Sequence, residues 1–344
     1  LSRVKTGEMA SFSQSSLPEL HSKKNQHPNT QAYALVAHNP LYLNDLWGRK
    51  PELPRVEQPR WDENTRLHEL TASNLTYHYP DTGGGISGVN LHIERGSLTV
   101  ITGRIGSGKT TLLRVLLGLL PLEAGAIYWN GRQVDDPANF FIPPRSAYTP
   151  QIPKFFSYSL RENILLGLDQ GERDIENAMN QRLRFAIAMA VFEQDVAAMS
   201  EGLDTLVGPK GVRLSGGQLQ RAAAARMFVR QPELLVFDDL SSALDVETEQ
   251  KLWSRLFAAR SDSDSAAKPC LQASEQASVL RHLRKPGVEQ QSADGSETDW
   301  TPTCLVVSHR LPVLRRANNI IVLNEGRVEA QGKFDDLREV IRSS

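Results

Sequence analysis

A glycine-rich loop stands between a short apolar run and a helix-forming segment. It reads Gly103-Arg104-Ile105-Gly106-Ser107-Gly108-Lys109-Thr110, and the run before it, residues 97–101, fits a buried strand. Glycines let the backbone turn its N–H groups toward phosphate oxygens, and the start of the following helix adds partial positive charge. Lys109 would reach the β- and γ-phosphates, and the Thr110 hydroxyl would ligate Mg²⁺. The loop therefore predicts binding of ATP or GTP with magnesium.

Two adjacent carboxylates follow a second apolar run, residues 234–237. Asp238 ends this predicted buried strand and would hold Mg²⁺, directly or through water. Asp239 then stands where a side chain could polarise an attacking water. Taken alone, Asp239 fits a helix cap or a surface turn better. Its catalytic interpretation depends on the glycine-rich loop.

A third polar turn is Ser215-Gly216-Gly217-Gln218, which opens a strongly helix-forming segment, residues 219–226. A serine and two glycines at a helix start can form a second anion-binding N-terminus. In isolation such a turn is usually only a turn, so its meaning depends on the motifs around it.

The remaining patterns predict the elements that must position these residues. Segments in which apolar and polar residues alternate predict strands, and an Ala- and Met-rich segment predicts a helix. Gly or Pro residues mark the ends of these segments. The predicted strands cover residues 75–79, 89–93 and 304–307, with a hairpin over 320–329 that turns at 324–326. The predicted helices cover residues 111–120, stopped by Pro121, and most of 156–200, including 182–199.

Bulk properties exclude some classes of function. The 344 residues carry a net charge of −1, which gives no sign of a nucleic-acid partner. Cys270 and Cys304 lack metal-ligand spacing and suit a reducing cytosol. No apolar run approaches the length of a membrane span. Because the chain begins at Leu1 rather than Met, we expect a fragment of a longer protein.

Two polar segments flank or interrupt the predicted fold. Residues 1–62 are rich in Pro, Asn, Ser and Gln, which predicts a linker or arm, with a disordered leader as the alternative. Residues 261–302 are rich in Ser, Asp, Gln and Glu, which predicts a flexible insertion between a helix and a strand.

Together and in this order, the motifs resemble the nucleotide-binding domain of an ATP-binding cassette (ABC) protein, over about residues 67–340. The glycine-rich loop matches Walker A and the 234–238 strand matches Walker B. The other matching motifs are a glutamine loop at Gln151, the signature Leu214–Gln218, a D-loop at Ser241–Asp245 and a switch histidine, His309. The resemblance implies an α/β fold with a P-loop NTPase core, whose mixed sheet adjoins an antiparallel β subdomain. An α-helical signature subdomain is expected over about 152–230, all within a domain spanning 63–344.

The resemblance also implies a role for each matching residue. Tyr79 would stack on adenine, with Tyr77 as the alternative. Gln151 would touch Mg²⁺ and the attacking water and sense a membrane domain, and His309 would bind the γ-phosphate. Catalysis would use Asp239, His309, Gln151 and Lys109, and the metal would be held by Thr110, Gln151 and Asp238. The residues contacting nucleotide would be Tyr79, Gly103, Arg104, Ile105, Gly106, Ser107, Gly108, Lys109, Thr110 and Thr111, with Ser215, Gly216, Gly217 and Gln218 supplied to a second copy.

The expected partners follow from that division of the site. A second ABC nucleotide-binding domain would pair head to tail with this one, and Asp245 would act across the interface. Residues 204–211 and 159–167 resemble exporter-type segments, and residues 34–43 resemble the tether after a last membrane helix. We therefore expect the cytosolic part of a half-exporter, working with a transmembrane domain at the cytoplasmic face of a membrane.

Asp239 departs from the family pattern, which has Glu directly after the Walker B aspartate. The shorter side chain predicts slow ATP hydrolysis at this site. An asymmetric heterodimer and a homodimer that tolerates Asp are both compatible with an intact signature. Two other functions stay open: a soluble, non-transport ABC ATPase, and a regulatory ATP-binding module without useful turnover.

Overall fold

The computed structural model describes residues 66–168, 173–257, 300 and 302–343. The arm predicted over residues 1–62, the tether-like segment 34–43 and nearly all of the predicted insertion 261–302 lie outside these described residues.

The described elements include both strands and helices, as expected of an α/β fold. The strands are β1 (Glu69–His78), β2 (Gly85–Glu94), β3 (Leu98–Thr102), β4 (Ala124–Trp129), β5 (Arg132–Gln133), β6 (Ser146–Thr149), β7 (Leu234–Asp238), β8 (Thr303–Val307), β9 (Asn319–Asn324) and β10 (Arg327–Gly332). The helices are α1 (Lys109–Leu116), α2 (Pro137–Phe140), α3 (Leu160–Ile164), α4 (Arg173–Met189), α5 (Glu193–Ala198), α6 (Gly216–Phe228), α7 (Val246–Phe257), α8 (Leu311–Leu314) and α9 (Arg338–Ser343).

One sheet is antiparallel, with strand order β2-β1-β4-β5. The strands predicted over residues 75–79 and 89–93 are confirmed, and they pair antiparallel: Leu75 pairs with Val89 and His78 pairs with Gly85. One face of β1 and β2 is buried at alternate positions, as the pleat of a half-buried strand requires. This sheet is the antiparallel β subdomain that the resemblance implied.

The second sheet has six strands in the order β10-β9-β3-β8-β7-β6. Its five strands β9, β3, β8, β7 and β6 run parallel, and β10 closes the edge as an antiparallel hairpin with β9. All residues of β3, β7 and β8 are buried, which explains their continuous apolar character. The carboxyl ends of β3, β7 and β8 therefore lie side by side, and this edge carries the candidate site.

Helices dominate between β6 and β7. The predicted helical segment 156–200 contains α3, α4 and α5, and α6 follows the signature turn. A shared core packs Leu183 and Phe192 of this region with Phe228 of α6 and Phe237 of the parallel sheet. The helical region thus packs onto the strand that carries the two carboxylates. Its expected boundaries at 152 and 230 stay a prediction.

Two predicted helix boundaries are wrong. The helix expected over 111–120 spans Lys109–Leu116 instead, because Gly118 adopts φ +70° and its N–H bonds the carbonyl of Val115, which ends the helix before Pro121. The helix expected over 182–199 is broken at Val191, which has φ +54°. There the N–H of Phe192 bonds the carbonyl of Ile187, so the last turn is closed before α5 begins.

Within the described ranges, no helix combines the length and the apolar character that crossing a membrane requires.

Candidate functional site

The glycine-rich loop joins the end of β3 to the start of α1. Gly103, Gly106 and Gly108 have φ values of +135°, +82° and +97°, which other residues adopt only with strain. A Cβ on Gly103 would also lie 2.0 Å from the carbonyl oxygen of Leu323, so no other residue fits there. The loop is therefore shaped by its glycines, and α1 opens directly behind it with its N–H groups toward the loop. Ile105, at the loop's tip, is fully exposed.

The Lys109 ammonium lies within this loop. Its Nζ donates to the carbonyl oxygens of Gly103 at 2.8 Å and Arg104 at 2.6 Å, and to the Ser107 hydroxyl at 3.4 Å. Burial lowers the pKa of Lys109, while the nearby carboxylates of Asp239 and Asp238 act in the opposite direction. The three groups are thus close enough to interact electrostatically.

Asp238 ends β7 and faces α1. Its Oδ1 accepts a hydrogen bond from the Thr110 hydroxyl at 3.1 Å, and its Oδ2 accepts one from the Tyr148 hydroxyl at 3.3 Å. Burial raises the pKa of Asp238, and the two hydrogen bonds oppose that rise. Burial and the Asp238 charge raise the pKa of Tyr148 to about 12, so the phenol stays protonated and remains a donor. Sequence reasoning found Thr110 and Asp238 but missed Tyr148.

Asp239 follows in the left-handed region, with φ +57°. Its Oδ2 accepts a hydrogen bond from the Gln151 side chain at 3.4 Å, which joins the glutamine loop to the carboxylates. Its Oδ1 is buried and has no hydrogen-bond partner among the described residues. Burial raises the pKa of the Asp239 carboxyl, and the nearby His309 opposes the rise. The site therefore holds a partly desolvated carboxylate with an oxygen left for a ligand.

The donor set fits a magnesium ion that shares its ligands with phosphate. Thr110 and Asp238 supply a hydroxyl and a carboxylate, the hard oxygen donors that Mg²⁺ prefers, and the unpartnered Oδ1 of Asp239 lies beside them in sequence. No cluster of three or more His, Cys, Asp or Glu side chains suited to a metal occurs in the described ranges. Mg²⁺ usually takes one or two protein carboxylates and completes its shell with phosphate and water, so the hydroxyl and the carboxylate are compatible with it.

Tyr79 and Tyr77 meet edge to face, with ring centroids 5.0 Å apart. Tyr77 is only 7% exposed and belongs to the apolar core beneath the antiparallel sheet. Tyr79 is partly exposed, and its hydroxyl lies 3.4 Å from the hydroxyl of Thr111 on α1. Of the two aromatics, only Tyr79 thus presents an accessible ring next to the loop.

The signature turn forms a capping box at the start of α6. The Ser215 hydroxyl accepts from the Gln218 N–H at 3.3 Å, and the Gln218 side chain accepts from the Ser215 N–H at 2.9 Å. The Gln218 amide also donates to Asp195 of α5 at 3.2 Å. A Cβ on Gly217 would lie 3.0 Å from the carbonyl oxygen of Ala243, so the turn packs closely on the D-loop. These contacts group the signature with α5 and the D-loop.

The D-loop and the switch histidine follow β7 and β8. Asp245 caps α7, accepting from the N–H and the hydroxyl of Thr248 at 2.9 Å and 2.7 Å. These hydrogen bonds lower the pKa of Asp245. His309 is exposed, directly after the buried Ser308 at the end of β8. Its side chain therefore projects from the edge that also carries Asp239.

Gln220 is a second residue that sequence reasoning missed. It lies in α6, two residues after the signature, and its amide donates to the carbonyl oxygen of Gln151 at 2.6 Å. The signature helix thus holds the backbone of the glutamine loop. No sequence pattern signals this contact, because the partners are 69 residues apart and each reads as ordinary helix or loop.

Comparison with known proteins agrees with this geometry. Residues 86–242 match the family model for ABC transporters, which spans the glycine-rich loop, the signature and both carboxylates. A solved bacterial Atm1-family ABC exporter with ATP bound covers 90% of this chain, with a TM-score of 0.59 and 24% sequence identity. At that identity the likeness concerns the fold.

Curated relatives extend the comparison. The chain is 28% identical over 278 residues to a β-(1→2)glucan export ATP-binding/permease protein of Brucella melitensis. It is 31% identical over 267 residues to an uncharacterized ABC transporter ATP-binding protein of Bacillus subtilis, and 28% identical over 300 residues to the mitochondrial ATP-binding cassette sub-family B member 10 of Mus musculus. These alignments cover 81%, 77% and 86% of this chain but only 39%, 38% and 36% of the relatives.

The sequence motifs, the two-sheet fold and the matched relatives agree with one another. The chain carries a nucleotide-binding domain of the ATP-binding cassette (ABC) transporter family.

Proposed function

We propose that this chain binds ATP with Mg²⁺, hydrolyses it and thereby powers export across a membrane. The observation that supports this most directly is the meeting of Lys109, Thr110, Asp238 and Asp239 at one sheet edge, with the Thr110 and Asp238 side chains 3.1 Å apart. A phosphate loop, a hydroxyl and two carboxylates are the groups that phosphoryl transfer requires.

The proposed roles follow from these positions. Residues 103–111 enclose the phosphates, with the Lys109 ammonium on the β- and γ-phosphates, and the exposed face of Tyr79 stacks on adenine. Thr110, Asp238 and Gln151 hold Mg²⁺, which when bound neutralises charge on the phosphates. Asp239 accepts the proton of the attacking water, since burial raises the pKa of its carboxyl and favours proton uptake. His309 donates to the γ-phosphate.

The proposed active unit contains two nucleotide-binding domains. Ser215, Gly216, Gly217 and Gln218 close over ATP held by a second copy or a related domain, because a helix start with glycines offers N–H groups to phosphate. Asp245 acts across the same interface, and a transmembrane domain docks near Gln151. The domain then works at the cytoplasmic face of the membrane.

An exporter is the favoured type of transporter. The relatives include proteins named for export, and two exporter-like segments contact each other in this chain. Leu206 of the segment 204–211 pairs with Ser159, and the N–H of Val207 bonds the carbonyl of Tyr158 at 2.9 Å. A capping box at Ser159 and Glu162 anchors α3 directly behind this pairing.

A second candidate is a domain that binds ATP and hydrolyses it slowly. Asp239 is one methylene shorter than the usual Glu, and the hydrogen bond from Gln151 draws its Oδ2 toward the glutamine loop. A carboxylate displaced by about 1 Å can lose about a hundredfold in rate. Such a domain could still complete a competent site on a different partner through its intact signature.

The test is steady-state ATPase activity of the chain and of Asp239→Glu. We expect the Glu variant to hydrolyse ATP about ten- to a hundredfold faster, because the longer side chain reaches the attacking water. Asp336→Glu is the matched control, since it adds the same methylene at an exposed position outside the site and should not change the rate.

Nucleotide binding is measured in parallel, with Lys109→Ala as the variant expected to lose it. Equal rates for the wild type and Asp239→Glu would show that Asp239 does not limit hydrolysis. If neither the wild type nor Asp239→Glu hydrolyses ATP although both bind it, a regulatory ATP-binding module would be favoured over a transport ATPase.

A further inference from the structure

Glu249 is a buried carboxylate that none of the family motifs above includes. It lies on α7 and is 2% exposed. Its Oε1 accepts hydrogen bonds from the Ser241 hydroxyl and, at 3.4 Å, from the Trp253 indole. Its Oε2 forms an ion pair with Arg310 at 2.8 Å. Both carboxylate oxygens therefore have partners: Oε1 accepts from a residue of the D-loop, and Oε2 pairs with a residue of the loop that follows β8.

Arg310 and two serines complete the same network. The second guanidinium nitrogen of Arg310 donates to the carbonyl oxygen of Leu244 at 2.8 Å, and its backbone N–H donates to the Ser308 hydroxyl at 3.2 Å. The hydroxyls of Ser308 and Ser241 lie 3.4 Å apart, and both residues are buried. The segment 241–244 thus contacts the segment 308–310 directly at two points, and Glu249 bridges the two segments at a third.

The network is rigid for physical reasons. A buried carboxylate persists only when its charge is paired and its oxygens are hydrogen-bonded, and both conditions hold for Glu249. The side chain projects from a helix packed into the core through Leu252, Trp253 and Leu256. Helix α7 is therefore anchored in the core, and Glu249 holds the segments 241–244 and 308–310 in place relative to this helix.

Both loops carry residues of the proposed site. Asp239 lies two residues before Ser241, and Asp245 follows Leu244 directly. His309 stands between Ser308 and Arg310, which are both anchored, while its own side chain is exposed. His309 and Arg310 are also close enough to Asp239 to favour its charged form. Movement of either loop would displace a group that acts on the nucleotide.

We propose that Glu249 is a positioning residue that couples the D-loop to the switch-histidine loop, so that Asp239, Asp245 and His309 are presented as one unit. This inference rests on the proposed ATPase function. Glu249 itself does not touch the nucleotide; it acts through Ser241 and Arg310.

The first experiment replaces Glu249 with Gln, which keeps the size and one acceptor but removes the charge paired with Arg310. We expect kcat for ATP to fall about tenfold with KM within about twofold, because the ground-state phosphate contacts lie on the separate loop 103–110. Glu247→Gln is the matched control: it makes the same change on the same helix, at an exposed residue paired only with Lys251 among the described contacts, and should not change kcat.

Amide hydrogen exchange gives a readout that does not need turnover. In Glu249→Gln, exchange should accelerate in both residues 240–245 and residues 308–311, while β3 and α1 keep their protection. Ser241→Ala removes the contacts to Glu249 and Ser308 but keeps the ion pair of Glu249 with Arg310, so exchange should rise more in 240–245 than in 308–311. This second variant tests the network even if the loss of the Glu249 charge prevents folding.

Kinetics of the pair test whether the two residues act together. Arg310→Gln should lower kcat as much as Glu249→Gln, and the double variant should be no slower than either single one. A folded Glu249→Gln protein with wild-type kcat and wild-type exchange in both segments would overturn the inference. Absence of ATPase activity in the wild type would instead overturn the proposed function, and the exchange experiment would still decide the coupling.

Discussion

Single residues of the site carry charges that are partly removed from water. Burial raises the pKa of Asp238 and Asp239 and lowers that of Lys109, so the charged form of each group is less favoured here than in water. The attraction between the lysine and the two carboxylates offsets only part of the free-energy cost of removing their charges from water. The arrangement suits a ligand that combines phosphate groups with a bound cation. When no such ligand is bound, the buried charges destabilise the fold.

Replacement of Asp239 by Asn should therefore stabilise the nucleotide-free protein at neutral pH. The pKa of Asp239 in the folded protein is raised above its ordinary value of 3.8, so ionisation favours unfolding as pH rises through that folded pKa. Asn removes the ionisation, so its advantage in Tm should be larger at pH 8 than at a pH below 3.8, where Asp239 is protonated in both the folded and the unfolded state. Thermal unfolding without nucleotide measures this, with Asp336→Asn as an exposed control. A lower Tm for Asp239→Asn at pH 8 would contradict the desolvation argument.

The catalytic candidates were predictable because most of them lie within short sequence motifs. Residues 103–110 and 234–239 each combine a strand, a turn and polar groups within a few positions. Tyr148 and Glu249 were not predictable, since Tyr148 meets Asp238 across 90 residues and Glu249 meets Arg310 across 61. A lone tyrosine on a strand or glutamate on a helix has no local pattern that separates it from a surface residue.

At the scale of elements, strands were predicted better than helix ends. The β9–β10 hairpin turns at Glu325 and Gly326, both with positive φ, as the sequence predicted. Helix α1 ends two residues before Gly118, a glycine that the sequence prediction passed over in favour of Pro121. Helix α4 ends two residues before Val191, a β-branched residue of a kind that rarely adopts positive φ. The first end had a local signal, the glycine, whereas a valine in the left-handed region has none.

The packing at Gly118 gives a test of what ends α1. A Cβ there would lie 2.3 Å from the backbone nitrogen of Ala138, and the residue has φ +70°. Gly118→Ala should lower the free energy of unfolding by more than the roughly 1–2 kcal/mol expected for left-handed strain alone. Gly131→Ala is the matched control, because Gly131 has φ +76° with open space around its Cα. Denaturant unfolding of both variants measures the difference. An equal loss of unfolding free energy in the two variants would mean that backbone strain, rather than contact with α2, makes glycine necessary at position 118.

At the scale of the whole domain, the groups that would contact one nucleotide fall into two sets. The loop, the carboxylates and His309 gather at the carboxyl ends of β3, β7 and β8, whereas the signature turn packs with α5 and the D-loop. The capping box uses the Ser215 hydroxyl, the Gln218 side chain and the N–H groups of Ser215 and Gln218, so the N–H groups of Gly216 and Gly217 take no part in it. This division is the basis for the proposal that a complete site takes its signature from another nucleotide-binding domain.

This division predicts dimer formation that depends on both nucleotide and signature. Asp239→Asn should bind ATP with Mg²⁺ without cleaving it, and should form a dimer that sedimentation or light scattering detects. Adding Ser215→Arg should keep ATP binding but leave the protein monomeric, because the bulky cation blocks the helix start that would meet the partner's γ-phosphate. Gln331→Arg, on exposed β10, introduces the same side chain as a control and should not prevent dimerisation. A dimer that forms equally well with Ser215→Arg would mean that the signature does not close over a partner's ATP in this protein.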